Sequence, residues 1–402
     1  TMTIKPLSGL RVLDLTRFLA GPYCTMLLGD LGAEVLKIEP PGGGDPVRTQ
    51  GPPFSDREGI TFLATNRNKR SITVDFNDST ELARLQKLAA RADILVENFR
   101  PGVVEKFGLD YATLSSLNPG LIYASISGLG ADGPQSDQRA FDLTIQAMCG
   151  YMSITGEKEG RPVKLGTSAF DVIAGMNAFS GILVALLERG RTGLGQRVET
   201  SLLEGQVAFL ANSALEHLLG LGTPGKWGSE HPQLVPYKSF KTKDGWIVIG
   251  AGVQNLFEKL MTALARTDLI AHPDFESLPA RLANRDVVNS TIEGETSLYS
   301  TEELVRKLSA GGVPCAPVAT IDQVFENPQV RHREMVVNLK GAPAGRDITL
   351  GPAVKYSRFD VKEGWTPPPR LNEGGEEIMR SWLDDDKRNQ VFTGGVYEQP
   401  TE

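Results

Sequence analysis

The chain reads as an α/β protein, with a Rossmann-like doubly wound parallel sheet in a large domain and a smaller α+β domain after it. Three observations predict this. Short apolar strand runs alternate with helical patterns over the first 130 residues, as in a parallel sheet covered by helices on both faces. Glycine-rich or polar turns follow the strand runs, where such folds bind ligands. A Gly-rich connector, Gly220-Leu-Gly-Thr-Pro-Gly-Lys-Trp-Gly228, then separates this block from one with a hairpin pattern.

The elements follow in order. Arg11 to Thr16 is a strand, and Pro22 to Leu31 a helix with proline near its first position. Glu34 to Ile38 and Ser71 to Asp75 are strands, and a helix runs from Ser79 to Ala92, capped by Asp78 or Ser79. Asp93 to Glu97 and Leu121 to Ile126 add two more strands. The run Thr167 to Glu188 is the most apolar helix, with no charged residue from Val172 to Leu187 and with Asp171 in its first turn. It belongs in a core or an interface, and its glycines and asparagine are expected to interrupt it too often for a membrane span. Arg197 to Ser201 is a strand. Tyr237 to Lys241 and Gly245 to Gly250 pair around Lys243-Asp244-Gly245, and helices fill the stretch to about Val330.

Composition excludes several classes of function. The chain has 402 residues, 40% hydrophobic and 23% charged, with a net charge of -7 and a pI near 5.4. That is ordinary globular composition with no bulk affinity for nucleic acid. Cys24, Cys149 and Cys315 stand far apart with no CxxC pair, and the four histidines lack metal-ligand spacing, so neither a disulfide framework nor a metal is expected. No membrane partner and no targeting signal is read from the sequence, and the expectation is a reducing, cytoplasmic setting. GxGxxG, GxxxxGK[ST] and GxSxG are all missing from the positions where they would carry chemistry.

An anionic ligand therefore needs a local basic patch, and Arg67, Lys69 and Arg70 with Arg100, Lys106 and Arg139 could form one; the alternative is a solvated face. Asp171 has two readings. It is either an N-terminal cap, or a carboxylate held anionic by the helix dipole and able to attack an activated acyl group. Asp142, in a second Phe-Asp pair, is the other acidic candidate.

Five segments carry a resemblance: Leu13-Asp-Leu-Thr-Arg-Phe-Leu-Ala-Gly-Pro22, Leu31-Gly-Ala-Glu-Val-Leu-Lys-Ile-Glu39, Asn68-Lys-Arg-Ser71, Val96-Glu-Asn-Phe-Arg-Pro-Gly102 and Thr192-Gly-Leu-Gly-Gln196. In this order and spacing the chain resembles the type III CoA-transferases, the formyl-CoA and carnitine CoA-transferase family, over almost its whole length. Through Trp227 to Gly252 it is most similar to the succinyl-CoA:glutarate CoA-transferase branch.

The resemblance implies that Asp171 is the nucleophile. It implies that CoA is contacted by Leu19, Ala20, Val74, Asn98, Phe99, Arg100, Lys106 and Arg139, and that CoA enters as substrate with no separate cofactor. Family cations are replaced here by Pro40 and Asn77, so Arg67 or Arg70 are expected to compensate. Gly250, Gly252 and Gln254 are the lid and oxyanion candidates; a plain strand-to-helix turn is the other reading of that loop. For the second carboxylate of a dicarboxylate acceptor the candidates are His231, Arg48, Lys238 and Arg139. The family architecture implies a large domain over 1–200, a linker over 201–228, a small domain over 229–330, and a return linker with the C-terminal part of the large domain over 331–402. An interlocked homodimer is implied as well.

Two rivals remain on this scaffold, a 2-methylacyl-CoA racemase and a non-catalytic acyl-CoA-binding protein. Racemases of the family place a histidine just before the aspartate that corresponds to Asp142. Here that position is Phe141, which cannot carry a proton. An enantiopure 2-methylacyl-CoA incubated with the protein in deuterated water should accordingly gain no α-deuterium, and exchange at a catalytic rate would restore the racemase.

Overall fold

The computed structural model describes residues 4–384. By contact, the chain divides into two units. Among the described residues, the large one comprises 4–149, 165–215 and 331–384, and the small one 150–164 and 216–330.

The large unit is built on six parallel strands: β1 (Arg11–Asp14), β2 (Glu34–Glu39), β3 (Lys69–Thr73), β4 (Ile94–Glu97), β5 (Ile122–Ser127) and β6 (Arg197–Ser201). Their order across the sheet is β3-β2-β1-β4-β5-β6, the doubly wound arrangement whose switch point lies between β1 and β4. Every residue of β1, β4 and β5 is buried, as expected of strands covered on both faces, and the apolar stretches Val12-Leu13, Ile94-Leu95-Val96 and Ile122-Tyr123-Ala124 lie in them. Helices α1 (Ala20–Asp30), α2 (Ser79–Ala89) and α3 (Tyr111–Leu117) connect them. Asp78 and Asp110 cap α2 and α3 by accepting free amides of the first turn. Leu13, Leu36, Leu85, Leu88, Leu95, Leu114 and Tyr123 form the core beneath them. The C-terminal part joins that core through Trp382, fully buried on the helix Gly375–Asp384.

Helices α4 (Asp142–Met148), α5 (Ala169–Thr192) and α6 (Leu202–Phe209) also belong to the large unit. The glycines and asparagine of α5 do not interrupt it. It runs for 24 residues, and by length and composition it is apolar enough to cross a membrane. Gly175 is there for packing, since a Cβ on it would stand 2.5 Å from the Ala20 carbonyl oxygen.

The small unit holds the antiparallel strands β7 (Tyr237–Lys241), β8 (Trp246–Gly250) and β9 (Cys315–Pro317), ordered β9-β8-β7. Phe240, Ile247, Ile249, Phe257, Leu260, Val288 and Leu304 make its core. The division departs from the sequence expectation in two places. Residues 150–164 belong to the small unit, and the expected linker 201–228 begins as structure of the large one. Ser201 ends β6, and its hydroxyl accepts the Glu204 amide to start α6.

The basic segment around Arg67 and Lys69 is core, not a phosphate patch. Lys69 is fully buried and donates to Asp14 at 3.0 Å, to Asn66 and to the Pro22 carbonyl. Lys37, also fully buried, bonds Asp45 at 3.0 Å and the Thr16 carbonyl at 2.8 Å. Burial, with Lys37 nearby, pulls Lys69 down to about 8 against the opposing pull of Asp14. Burial works against Asp14 too, but Lys69, Lys37 and the hydroxyls of Thr16 and Thr25 hold its carboxyl well below the usual range. Removing one partner strands the other's charge. Lys69→Met is expected to cost about 3–5 kcal/mol of unfolding free energy in urea titrations, and the double variant with Asp14→Leu much less than the sum of the two single losses.

Candidate active site

Asp171 is the third residue of α5, behind an N-cap at Ser168 whose side chain makes no capping bond. A free amide of that helix end is satisfied from elsewhere, because Asp142 Oδ1 accepts the Phe170 N–H at 3.0 Å. The capping role open to Asp171 is thus filled by Asp142. None of the described residues hydrogen-bonds the Asp171 carboxylate. Burial, reinforced by the charge of Asp142, pushes it up to about 7. This corrects the expectation that the helix end keeps the group ionised at neutral pH: the dipole favours the anion, but burial and a like charge outweigh it. Asp142 is itself buried, at the start of α4, and its Oδ2 accepts from Gln146 Nε2.

The loop after β1 closes on both helix starts. Phe18 has a left-handed backbone (φ 67°), which for a bulky residue must be held in place. Its N–H donates to Asp45 Oδ1 at 3.1 Å, while Arg17 exchanges two bonds with Asn98, N–H to Oδ1 at 2.9 Å and Nδ2 to the Arg17 carbonyl at 2.8 Å. Asn98 therefore ties the two strand ends at the switch point together with its side-chain amide. The Phe18 ring meets Phe141 edge-on at 6.5 Å, and the carbonyl of buried Ala20 lies under Gly175, one turn beyond Asp171. Leu19 caps α1.

The other sequence-predicted CoA contacts lie along the same edge of the sheet or beyond it. Phe99 sits under the Arg17 guanidinium at 5.1 Å and beside Phe76. Val74, buried, lines a cleft of about 290 Å³ with Ile72, Thr73, Arg84, Asn372 and Met379. Arg100, Lys106 and Arg139 are exposed, and no partner for them is found among the described residues. Arg17, Phe18, Asp45 and Gln146 were not foreseen. Asp45 had a signal, as the acid that ends the glycine turn after β2, and so did Gln146, four residues after Asp142 on a helix.

Several candidate cations are already spent. Arg48 is buried, paired with Glu39 at 2.7 Å and Glu58 at 2.9 Å, bonded to the Pro369 carbonyl and stacked on Phe62, so it has no free edge for an acceptor. Arg67 is bidentate to Asp30 at 2.7 and 2.8 Å and stacked on Trp365, which removes it as a substitute CoA contact. Arg70 stays exposed.

In the small unit Lys238 pairs with Glu230 at 3.3 Å. His231 Nδ1 accepts the Gln233 N–H, its ring meets Tyr237 edge-on, and its carbonyl accepts from Arg285. The Gly250–Gln254 loop is pinned. Arg281, fully buried, donates to the Gly252 carbonyl, the Val235 carbonyl and Gln254 Oε1. The Gly250 amide donates to Pro314, so it is not free to meet an oxyanion. Among the described residues no group of three or more His, Cys, Asp or Glu is placed to hold a metal.

A family model described as CoA-transferase family III matches residues 7–374. The chain is 39% identical to succinyl-CoA:glutarate CoA-transferase of Mus musculus over 399 residues, covering 99% of this chain and 91% of that protein. It is 38% identical to succinyl-CoA:mesaconate CoA-transferase of Haloarcula hispanica, covering 93% and 95%. Among solved structures, a CAIB/BAIF family protein from Brucella suis superposes with a TM-score of 0.87 at 37% identity, covering 95% of this chain and all of that one.

The raised Asp171 carboxyl has a consequence for stability. It binds its proton more tightly folded than unfolded, so it opposes folding increasingly as pH climbs from about 4 through 7. Asp171→Asn should raise the melting temperature by about 5 °C at pH 8. The gain should shrink as pH falls toward 4, and a pH-independent gain would contradict the assignment.

Proposed function

This chain belongs to CoA-transferase family III, and from that premise we propose that it carries CoA from succinyl-CoA to a small dicarboxylate through covalent intermediates on Asp171. The observation that carries the reading is a partly buried carboxylate that takes no hydrogen bond from the described residues and is pushed up to about 7 beside Asp142. Such a group is a stronger nucleophile than an ordinary aspartate, and enough of it is ionised near neutral pH to react. Relatives that use succinyl-CoA with glutarate or mesaconate support a dicarboxylate acceptor.

In the proposed sequence, an Asp171 oxygen attacks the thioester carbonyl of the donor. The C–S bond breaks, leaving a mixed anhydride and CoA thiolate. The thiolate attacks the aspartyl carbonyl and expels succinate, giving an aspartyl-CoA thioester. An oxygen of the acceptor carboxylate displaces the thiolate to form a second anhydride. Attack by the thiolate at the acceptor carbonyl then yields the new thioester and restores the Asp171 carboxylate. Each step exchanges one activated acyl bond for another, so water must stay out. The uncharged face of α5 suits that need, and the exposed Phe18 and Phe141 rings, in edge contact, offer apolar surface for a bound acyl-CoA to cover. Exposed and unpaired among the described residues, Arg100, Lys106 and Arg139 are the proposed partners for the CoA phosphates.

A homodimer is part of the same proposal. Val184 and Leu187 on α5, Leu194 just beyond it, and Val207 and Phe209 on α6 are all exposed, an apolar surface of the kind a subunit contact covers.

The proposal is tested by trapping. With succinyl-CoA and hydroxylamine or borohydride, one peptide should be modified, the one containing Asp171. Asp171→Ala should lose transfer by far more than a hundredfold while still binding CoA. Label on Cys24, Cys149 or Cys315 would make the protein a thiol acyltransferase, and residual activity above about one hundredth of wild type would remove Asp171 as the nucleophile.

A further inference from the structure

Gln146 lies one helical turn beyond Asp142 on α4 and is 1% exposed. Its Nε2 donates to Asp142 Oδ2, and its Oε1 accepts the Leu165 N–H at 2.9 Å. The other oxygen of Asp142 accepts the Phe170 N–H at 3.0 Å. Two side chains four residues apart thus grip residues 165 and 170, the two ends of the stretch that delivers Asp171. The glutamine amide can sit only one way round. Reversed, it would set its oxygen against a carboxylate and its NH2 group against an N–H. No shorter amide spans both partners, and no carboxylate can donate to Asp142 unless it carries a proton.

We propose that Gln146 is a positioning residue for the transfer reaction, locking Asp142 to the 165–170 segment so that Asp142 stands at one fixed place beside the nucleophile. The inference rests on the reading of Asp171 as that nucleophile. It explains why a buried carboxylate next to Asp171 keeps a single orientation: Asp142 accepts on both oxygens, and the Gln146 donor is immobilised from its far end by Leu165. Asp142 is also the charged group that acts on Asp171 at this site. Anything that lets its carboxylate turn or take up a proton is therefore felt at the attacking oxygen.

Two variants and two readouts test this on the full-length protein. Gln146→Met keeps the size and loses both bonds. Gln146→Glu keeps the acceptor for Leu165 and can donate to Asp142 only when protonated. Hydrogen exchange of the free protein, followed on the peptide spanning 165–170, should speed up on the order of tenfold or more in Gln146→Met, with its melting temperature showing that it folds.

In transfer assays Gln146→Met should lower kcat roughly tenfold with the KM for the acyl-CoA donor within about twofold. Its activity relative to wild type should be flat in pH. For Gln146→Glu that ratio should rise as pH falls from 8 to 6, because the protonated acid replaces the amide donor. In an Asp142→Ala background Gln146→Met should add little, since both act through one group. Unchanged exchange at 165–170 overturns the tether whether or not any variant is active. Equal, pH-flat losses in both variants, or losses that multiply with Asp142→Ala, overturn the positioning role. Wild-type protein that transfers no CoA and takes no label at Asp171 overturns the transferase reading instead, while the exchange result still judges the tether.

Discussion

The large unit depends on a buried lattice of charges that joins the carboxyl end of β1 and the later half of β2 to the start of β3. Asp14 ends β1 and bonds Lys69 of β3, while Lys37 of β2 bonds Asp45 in the loop that follows its own strand. The same Asp45 holds the Phe18 amide, and Lys37 holds the Thr16 carbonyl. Four charged groups with almost no exposure thus fix the backbone of the loop between β1 and α1. Taking such charges out of water costs several kcal/mol per ion, and their mutual attraction returns that only when every donor is used. Here Lys69 makes three bonds. What the lattice adds is geometry more than stability: one arrangement of three strand ends, and one path for the chain from Thr16 to Ala20.

That path matters because Ala20 packs on Gly175 and Phe18 on Phe141, so the loop borders both helix starts that carry the acidic pair. Magnitudes decide the state of Asp171. A helix terminus favours an anion by about 0.3–1 kcal/mol. Moving a carboxyl from 3.8 to about 7 corresponds to about 4 kcal/mol in the other direction. Burial and Asp142 therefore win over the dipole, and Asp171 is poised between its two protonation states near neutrality. A carboxylate so placed gives up part of its ionised population in exchange for a more reactive anion.

Much of this was legible in the sequence, and the reasons are local. Mostly apolar runs marked the parallel strands, Ile94-Leu95-Val96 of β4 above all, because a strand buried on both faces has no alternating polar side to show. Asp171 was visible as the one acid at the mouth of a helix with no charge for the next sixteen positions. What stayed hidden was pairing across sequence distance. Arg67 finds Asp30, 37 residues earlier, and Arg346 finds Asp56, 290 residues earlier. A basic cluster in one dimension cannot reveal that its partners are already inside the fold. The continuity of α5 was misread for a related reason. Gly175 looks like a break by propensity, yet it is required by a carbonyl from another element that no helix rule contains.

The small unit solves its loop problem with the same device on a different residue. Arg281, with no exposure, spreads its guanidinium over the Val235, Phe275 and Gly252 carbonyls and the Gln254 side chain. A Cβ at Gly252 would meet Leu234 at 2.7 Å, so the glycine there serves close packing, and its φ is not among the positive ones. A glycine loop is usually read as a hinge, but this one is stitched to its unit by a cation whose donors are consumed by backbone oxygens. Any displacement of residues 250–254 must either strand that buried charge, at a cost of several kcal/mol, or carry Arg281 and its helix along. The loop is therefore rigid with its unit, and motion in this protein has to be sought in segments that no buried cation holds.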